Sequence, residues 1–163
     1  SNTANKVFDF DSYTAYDHYK FVFKRLETAL DGYNLRGWVS ADGSDYFDTS
    51  GSYRTTGSKT YYDGSSYGHN SASTSSSFLL HQSLGNDATY GLSGELNVFH
   101  PLNSSFATAC TYLLMAYTSD NTVYTTTGAS FRLNAEDNRY IKFNFGVSAM
   151  EAGTITLYGV KDA

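Results

Sequence analysis

Apolar residues recur at every second position along most of this chain, and that spacing restricts the fold more than any other feature. Tyr19, Phe21 and Phe23 alternate with Lys20, Val22 and Lys24, and Leu35, Gly37 and Val39 alternate with Arg36 and Trp38. Leu92, Gly94, Leu96 and Val98 alternate with Ser93, Glu95 and Asn97. Ile141, Phe143 and Phe145 alternate with Lys142 and Asn144, and Ile155 and Leu157 with Thr154, Thr156 and Tyr158. Successive side chains of a strand point to opposite faces, so each set puts its apolar members on one side, as a half-buried antiparallel sheet requires. Thr111 to Tyr117 is apolar on both parities and reads as a central strand, and Phe78–Leu80 and Phe131–Leu133 read as shorter strands. Only Phe23 to Leu30 has a spacing that would also suit a short helix.

Turn residues separate these runs at Asp31-Gly32, Asp42-Gly43, Gly85-Asn86-Asp87, Ser119-Asp120-Asn121, Asp137-Asn138 and Ala152-Gly153. The expected fold is therefore all-β: a single antiparallel β-sandwich, jelly-roll-like, of about 8–9 strands. At 163 residues the chain is long enough for one well-cored domain. Residues 1–16 are expected to be an N-terminal connector and 17–163 the sandwich. The chain opens on Ser rather than Met, so it is expected to be a fragment or processed product with a region upstream.

Composition narrows the function classes. Only 17% of residues are charged and another 17% are aromatic, the reverse of a disordered chain. Net charge is −5 and the 11 basic residues are scattered, so no nucleic-acid footprint of clustered Lys and Arg is present. The acidic balance also disfavours anionic membrane surfaces, and no apolar stretch approaches the roughly 20 residues of a membrane-spanning helix. Cys110 is the sole cysteine, which leaves no internal disulfide or thiolate metal site and reads as a buried, inert thiol. His18, His69, His81 and His100 follow no ligand spacing, and no phosphate loop occurs. Asp42, Asp45 and Asp48 are dense enough to consider Ca²⁺, yet match no calcium-loop pattern and read as an Asp-rich turn. No cofactor or metal is expected. With Asp63 or Glu95 these carboxylates are the candidates for a glycosidase pair, but nothing in the sequence sets two of them at a working separation.

Between Ser40 and Phe78 there is no Leu, Ile, Val or Met, while Tyr46, Tyr53, Tyr61, Tyr62 and Tyr67 stand among Ser, Thr and Gly. Such a mixture is that of an antibody-like combining surface, with stiff amphipathic rings among small hydroxyl residues that adapt their hydrogen bonds. A sugar offers a C–H face to an aromatic plane and hydroxyls to polar partners. Tyr61, Tyr62, Tyr67, His69 and Asn70 supply both kinds of group, with Tyr53 at the head of the segment and Trp38 as an outward platform if Leu35, Gly37 and Val39 face in. The competing reading is a long hairpin whose tyrosines cover the sandwich flank or a neighbouring subunit, and for Trp38 a ring covered by residues 53–77.

Several segments in order resemble the C-terminal β-sandwich domain of bacteriophage tail-fibre and virion-appendage proteins. They are Tyr-Lys-Phe-Val-Phe-Lys-Arg-Leu at 19–26, Leu-Arg-Gly-Trp-Val-Ser-Ala-Asp-Gly at 35–43, and Tyr-Phe-Asp-Thr-Ser-Gly-Ser-Tyr at 46–53. Gly-Leu-Ser-Gly-Glu-Leu-Asn-Val-Phe-His-Pro at 91–101, Arg-Tyr-Ile-Lys-Phe-Asn-Phe at 139–145 and Ala-Gly-Thr-Ile-Thr-Leu-Tyr-Gly-Val at 152–160 continue the likeness. The resemblance covers most of the chain from about residue 17. Its motifs are strands and turns, without catalytic residues, and 53–77 departs from the shared pattern as an insertion. It implies a location on the virion, outside the cell, and host attachment through receptor binding. The implied partners are a bacterial surface polysaccharide and other virion proteins, in a homo-oligomer with a trimer favoured. The rival expectations are a structural capsid or tail decoration domain whose Tyr-rich segment makes subunit contacts, and a polysaccharide-degrading enzyme.

Overall fold

The computed structural model describes residues 5–46, 51–61, 67–87, 89, 91–119 and 122–161, with backbone alone for 67–74. The first strands are β1 (Asn5–Asp9), β2 (His18–Thr28), β3 (Tyr33–Ser40), β4 (Tyr53–Tyr61), β5 (Tyr67–Ser75) and β6 (Phe78–Leu84). They are followed by β7 (Leu92–Phe99), β8 (Ala107–Tyr117), β9 (Val123–Ala135), β10 (Tyr140–Asn144) and β11 (Met150–Val160). One sheet has the order β1-β10-β3-β6 and the other β11-β2-β7-β8-β9-β4-β5, all neighbours antiparallel. The fold is an all-β sandwich. The chain changes sheet at seven of its ten connections and stays within one sheet only at β4–β5, β7–β8 and β8–β9, the jelly-roll-like habit expected.

Among the described residues there are eleven strands rather than eight or nine. Three of them come from segments that alternation did not mark. β1 pairs with β10 and leads to Phe10, which is wholly buried, so the sandwich begins inside the stretch expected to be a connector. The other two, β4 and β5, form a hairpin on the flank of the larger sheet, so residues 53–61 and 67–75 of the aliphatic-free segment are sheet.

Aromatic rings from both sheets make the centre. Phe21 and Phe23 of the larger sheet meet Phe143 of the smaller edge-on, at ring-centroid distances of 5.1 and 5.4 Å, and Phe8 meets Phe21 at 5.1 Å. These are the offset geometries that aromatic quadrupoles favour. Tyr19 is fully buried and donates its hydroxyl to the Tyr13 carbonyl at 2.7 Å, and burial above all pushes its pKa up to about 12.

The ambiguous stretch after Phe23 is strand. A bulge at Arg25 (φ 50°) breaks the register between Phe23 and Leu26 against β7, so two core residues stand three apart in sequence, as on a helix. Gly153, at φ +95°, lies so close to this bulge that a Cβ there would sit 2.1 Å from the Arg25 carbonyl oxygen. The central strand is where the sequence placed it: β8 is the fourth of seven. It is not covered on both faces, however, since Leu113 and Met115 are 51% and 52% exposed on the outer side. No described element packs over that side of the sheet.

Candidate functional site

Residues 53–61 show how a segment without aliphatics becomes sheet interior. The inward positions of β4 are Tyr53, Thr55, Gly57, Lys59 and Tyr61, and their register partners on β9 are Arg132, Ser130, Gly128, Thr126 and Tyr124. Thr55 and Ser130 share a 2.7 Å hydroxyl hydrogen bond. Gly57 and Gly128 leave room for the Tyr112 hydroxyl, which a Cβ on Gly128 would approach to 2.4 Å, and that hydroxyl donates to the Leu79 carbonyl at 3.2 Å. Burial pushes the Tyr112 pKa up to about 12. Lys59, nearly buried, holds its ammonium 4.8 Å from the Tyr124 ring and 3.4 Å from the Tyr124 hydroxyl. Beside it His81 shares a 2.9 Å hydrogen bond with Thr126 through Nδ1, and burial, aided by the Lys59 charge, pushes its pKa down to about 3. Complementary hydroxyls and paired glycines thus replace aliphatic packing here.

This arrangement removes Tyr53 from the expected binding surface. Its ring is wholly buried, edge-on to Phe78 at 4.6 Å, with the Arg132 guanidinium 5.8 Å from its centroid. Its hydroxyl accepts the Val39 N–H at 3.1 Å. The pairing of β6 with β3 ends at Gly37, so the phenol serves as the partner that the sheet no longer supplies. Tyr61 lies on the same inward parity and packs at 5.2 Å on Tyr124, half-buried. Tyr62 lies outside the described residues. Tyr67, His69 and Asn70 have described backbones in β5, opposite Thr60, Ser58 and Gly57, and their side chains lie outside the described set.

Trp38 behaves as alternation requires. Leu35, Gly37 and Val39 are buried, and Trp38 stands with Asn34 and Arg36 on the outer face of the smaller sheet. The register sets Lys142 opposite Trp38 and Asn144 opposite Arg36 on β10. Lys142 holds its ammonium 5.0 Å from the Trp38 ring centroid and 4.1 Å from that of Tyr46, a cation–π arrangement that orients both rings. Burial raises the pKa of the Tyr46 hydroxyl. An open groove of about 370 Å³ runs along this face, lined by Tyr33, Asn34, Arg36, Trp38, Asn144 and Phe145 among others. The amides are pre-set: Asn34 Oδ1 accepts the Ser83 N–H at 2.9 Å, Asn144 Oδ1 accepts the Gly146 N–H at 2.9 Å, and Asn144 Nδ2 donates to Asn5 at 2.8 Å. Arg36 donates to Ser77 Oγ at 3.4 Å. Of the expected site residues with described side chains, Tyr53 is core, Trp38 lies on the smaller sheet and Tyr61 on the hairpin of the larger, so these three are not brought together.

The remaining polar residues have structural duties. Asp42 closes a turn, its Oδ1 accepting the N–H groups of Asp45 and Ser44 at 2.9 Å each, and these hydrogen bonds hold its carboxyl well below the usual range. Asp48 and Asp63 lie outside the described residues. His18 stacks on Phe99 at 4.4 Å, and His100 lies against Phe106 at 5.4 Å. Cys110 is buried, and burial pushes its thiol far up, so it is inert. Among the described residues no carboxylate lines the groove around Trp38, and its lining offers an aromatic platform with amide and guanidinium donors. Comparison with protein-family models, curated proteins and solved structures finds no match to this chain.

Proposed function

We propose that this chain is a non-enzymatic receptor-binding domain of a bacteriophage tail fibre or similar virion appendage, which recognises a bacterial surface glycan through the Trp38 groove. The observation that carries glycan recognition is the outward Trp38 with Asn34, Arg36 and Asn144 on one sheet face. A sugar ring stacks on the indole while its hydroxyls meet the amides, and the groove volume lies within the range of small-ligand sites. The virion assignment rests on the sequence resemblance from residue 17 onward. Affinity per groove would be weak, and repetition in an oligomer would raise it by avidity.

The test is a glycan array printed with bacterial capsular and lipopolysaccharide chains, probed with the protein displayed multivalently. The native protein binds members of the array, and Trp38→Ala, checked by thermal melting to be folded, does not. Undiminished binding by folded Trp38→Ala overturns the assignment of the groove. A structural decoration role is the second reading. It is favoured by Leu113 and Met115 of β8 and Phe131 and Leu133 of β9, each 43–52% exposed on the outer face of the larger sheet. That reading predicts an oligomer in solution that Leu113→Glu dissociates, with the Trp38 groove having no part in attachment.

A further inference from the structure

We infer that the Trp38 groove selects acidic sugars, with the Arg36 guanidinium pairing the carboxylate of a uronic-acid-type residue whose ring stacks on Trp38. The inference rests on the glycan reading of this groove and adds its ligand class. Among the described residues lining the groove, Arg36 is the one ionised side chain and no carboxylate stands beside it. The ion pairs among the described residues engage Lys20, Arg25, Arg132 and Arg139, and none engages Arg36. Its hydrogen bond to Ser77 Oγ, at 3.4 Å, is a weak one. The planar fork of donors that matches a carboxylate is therefore not committed to any anion among the described residues.

The spacing suits a substituted pyranose. Arg36 and Trp38 are two residues apart on one strand face, roughly 6.5–7 Å along the sheet. That is about the reach from the centre of a stacked ring, through its carboxylate, to a charge-assisted hydrogen bond of roughly 2.8 Å. Asn144, opposite Arg36 in register, and Asn34 line the same groove, and an amide nitrogen carries two donors, of which the bond to Asn5 takes one from Asn144. Lys142, opposite Trp38, adds a second positive charge to the same face. This charge acts at short range, because salt screens exposed charges beyond about 8–10 Å.

The experiment prints each acidic bacterial polysaccharide twice, native and after chemical reduction of its carboxyl groups to alcohols, beside neutral polysaccharides. Native protein, Arg36→Gln, Arg36→Lys and Trp38→Ala are compared, each shown by melting to be folded. Expected is a loss of about tenfold or more on carboxyl reduction, a similar loss for Arg36→Gln on the native acid, and partial retention in Arg36→Lys. Arg36→Gln should bind native and reduced forms alike, and Trp38→Ala neither. Equal binding of native and reduced forms by the unmutated protein, or binding of neutral chains alone, overturns the acidic preference and leaves glycan recognition standing. An acid preference that persists in Arg36→Gln overturns the pairing of the carboxylate with Arg36. No binding to any printed chain defeats the glycan reading and this inference together.

Discussion

Tyr53 separates a combining surface from a structural hairpin, because the two readings give opposite results when it is changed. Its ring is wholly buried against Phe78 and its hydroxyl accepts the Val39 N–H at 3.1 Å. Tyr53→Phe keeps the ring and removes the acceptor, leaving the N–H of a wholly buried residue without a partner, at a cost of about 1–3 kcal/mol. Tyr53→Ala also removes the ring and opens a cavity, for which aromatic truncations cost roughly 3–5 kcal/mol. In a chain of 163 residues each kcal/mol lowers the melting temperature by about 2–4 °C. The expected drops are therefore roughly 2–12 °C for Tyr53→Phe and 6–20 °C for Tyr53→Ala. Calorimetry or circular dichroism at fixed pH measures both. Tyr53→Phe should keep its glycan binding well below its melting point, since the ring never meets a ligand. If Tyr53→Ala melts within about 1 °C of the native protein, the packing argument for β4 is refuted.

Three further outcomes follow from buried groups. His81 is held neutral with its pKa near 3 against an ordinary 6.5, so the unfolded chain binds the extra proton; stability is full above pH 6.5 and falls as pH drops through the window towards 3. Urea unfolding between pH 6.5 and 5 should show a slope approaching about 1.4 kcal/mol per pH unit from this residue, and His81→Gln should flatten it. Cys110, buried and with its thiol pushed up, should resist a thiol reagent in the native protein and react at once in denaturant. Gly128→Ala would set a Cβ 2.4 Å from both the Thr56 carbonyl and the Tyr112 hydroxyl, and should destabilise by about 1–3 kcal/mol or more in denaturant titration. Tyr112→Phe should not rescue it, because the backbone clash remains.

Alternation alone placed β2, β3, β7, β10 and β11, because in each the inward residues are large and apolar while the outward ones are mostly polar. The outward Trp38 was legible for the same reason. Its neighbours were not: Lys142 reaches it only through the pairing of β10 with β3, a sheet order that local spacing does not encode. β4 stayed hidden because two of its five inward pairs with β9 are made by hydroxyls or glycines, which look like surface until the partner strand is known. Tyr53 shows the consequence, since a ring read from its neighbours as exposed is core when its parity faces the other sheet. The bulge at Arg25 imitated a helical spacing by adding one residue to the strand period.

The outer faces of the two sheets differ in chemistry, and their geometry bears on how the proposed role would operate. The smaller sheet presents Trp38, Arg36 and Asn144, while the larger presents Leu113, Met115, Phe131 and Leu133 among threonines. Outer faces of a sandwich point in opposite directions, so covering one leaves the other free. An apolar sheet face gains most from association with another protein surface, whereas a groove of amides and a guanidinium around one indole gains little from burial without hydrogen-bonding partners. On the proposed reading the larger sheet would therefore turn towards neighbouring chains and the Trp38 groove away from them. Contacts across the apolar face and a weak, repeated sugar site on the other would then reinforce each other, since assembly supplies the multivalency that a single shallow groove lacks.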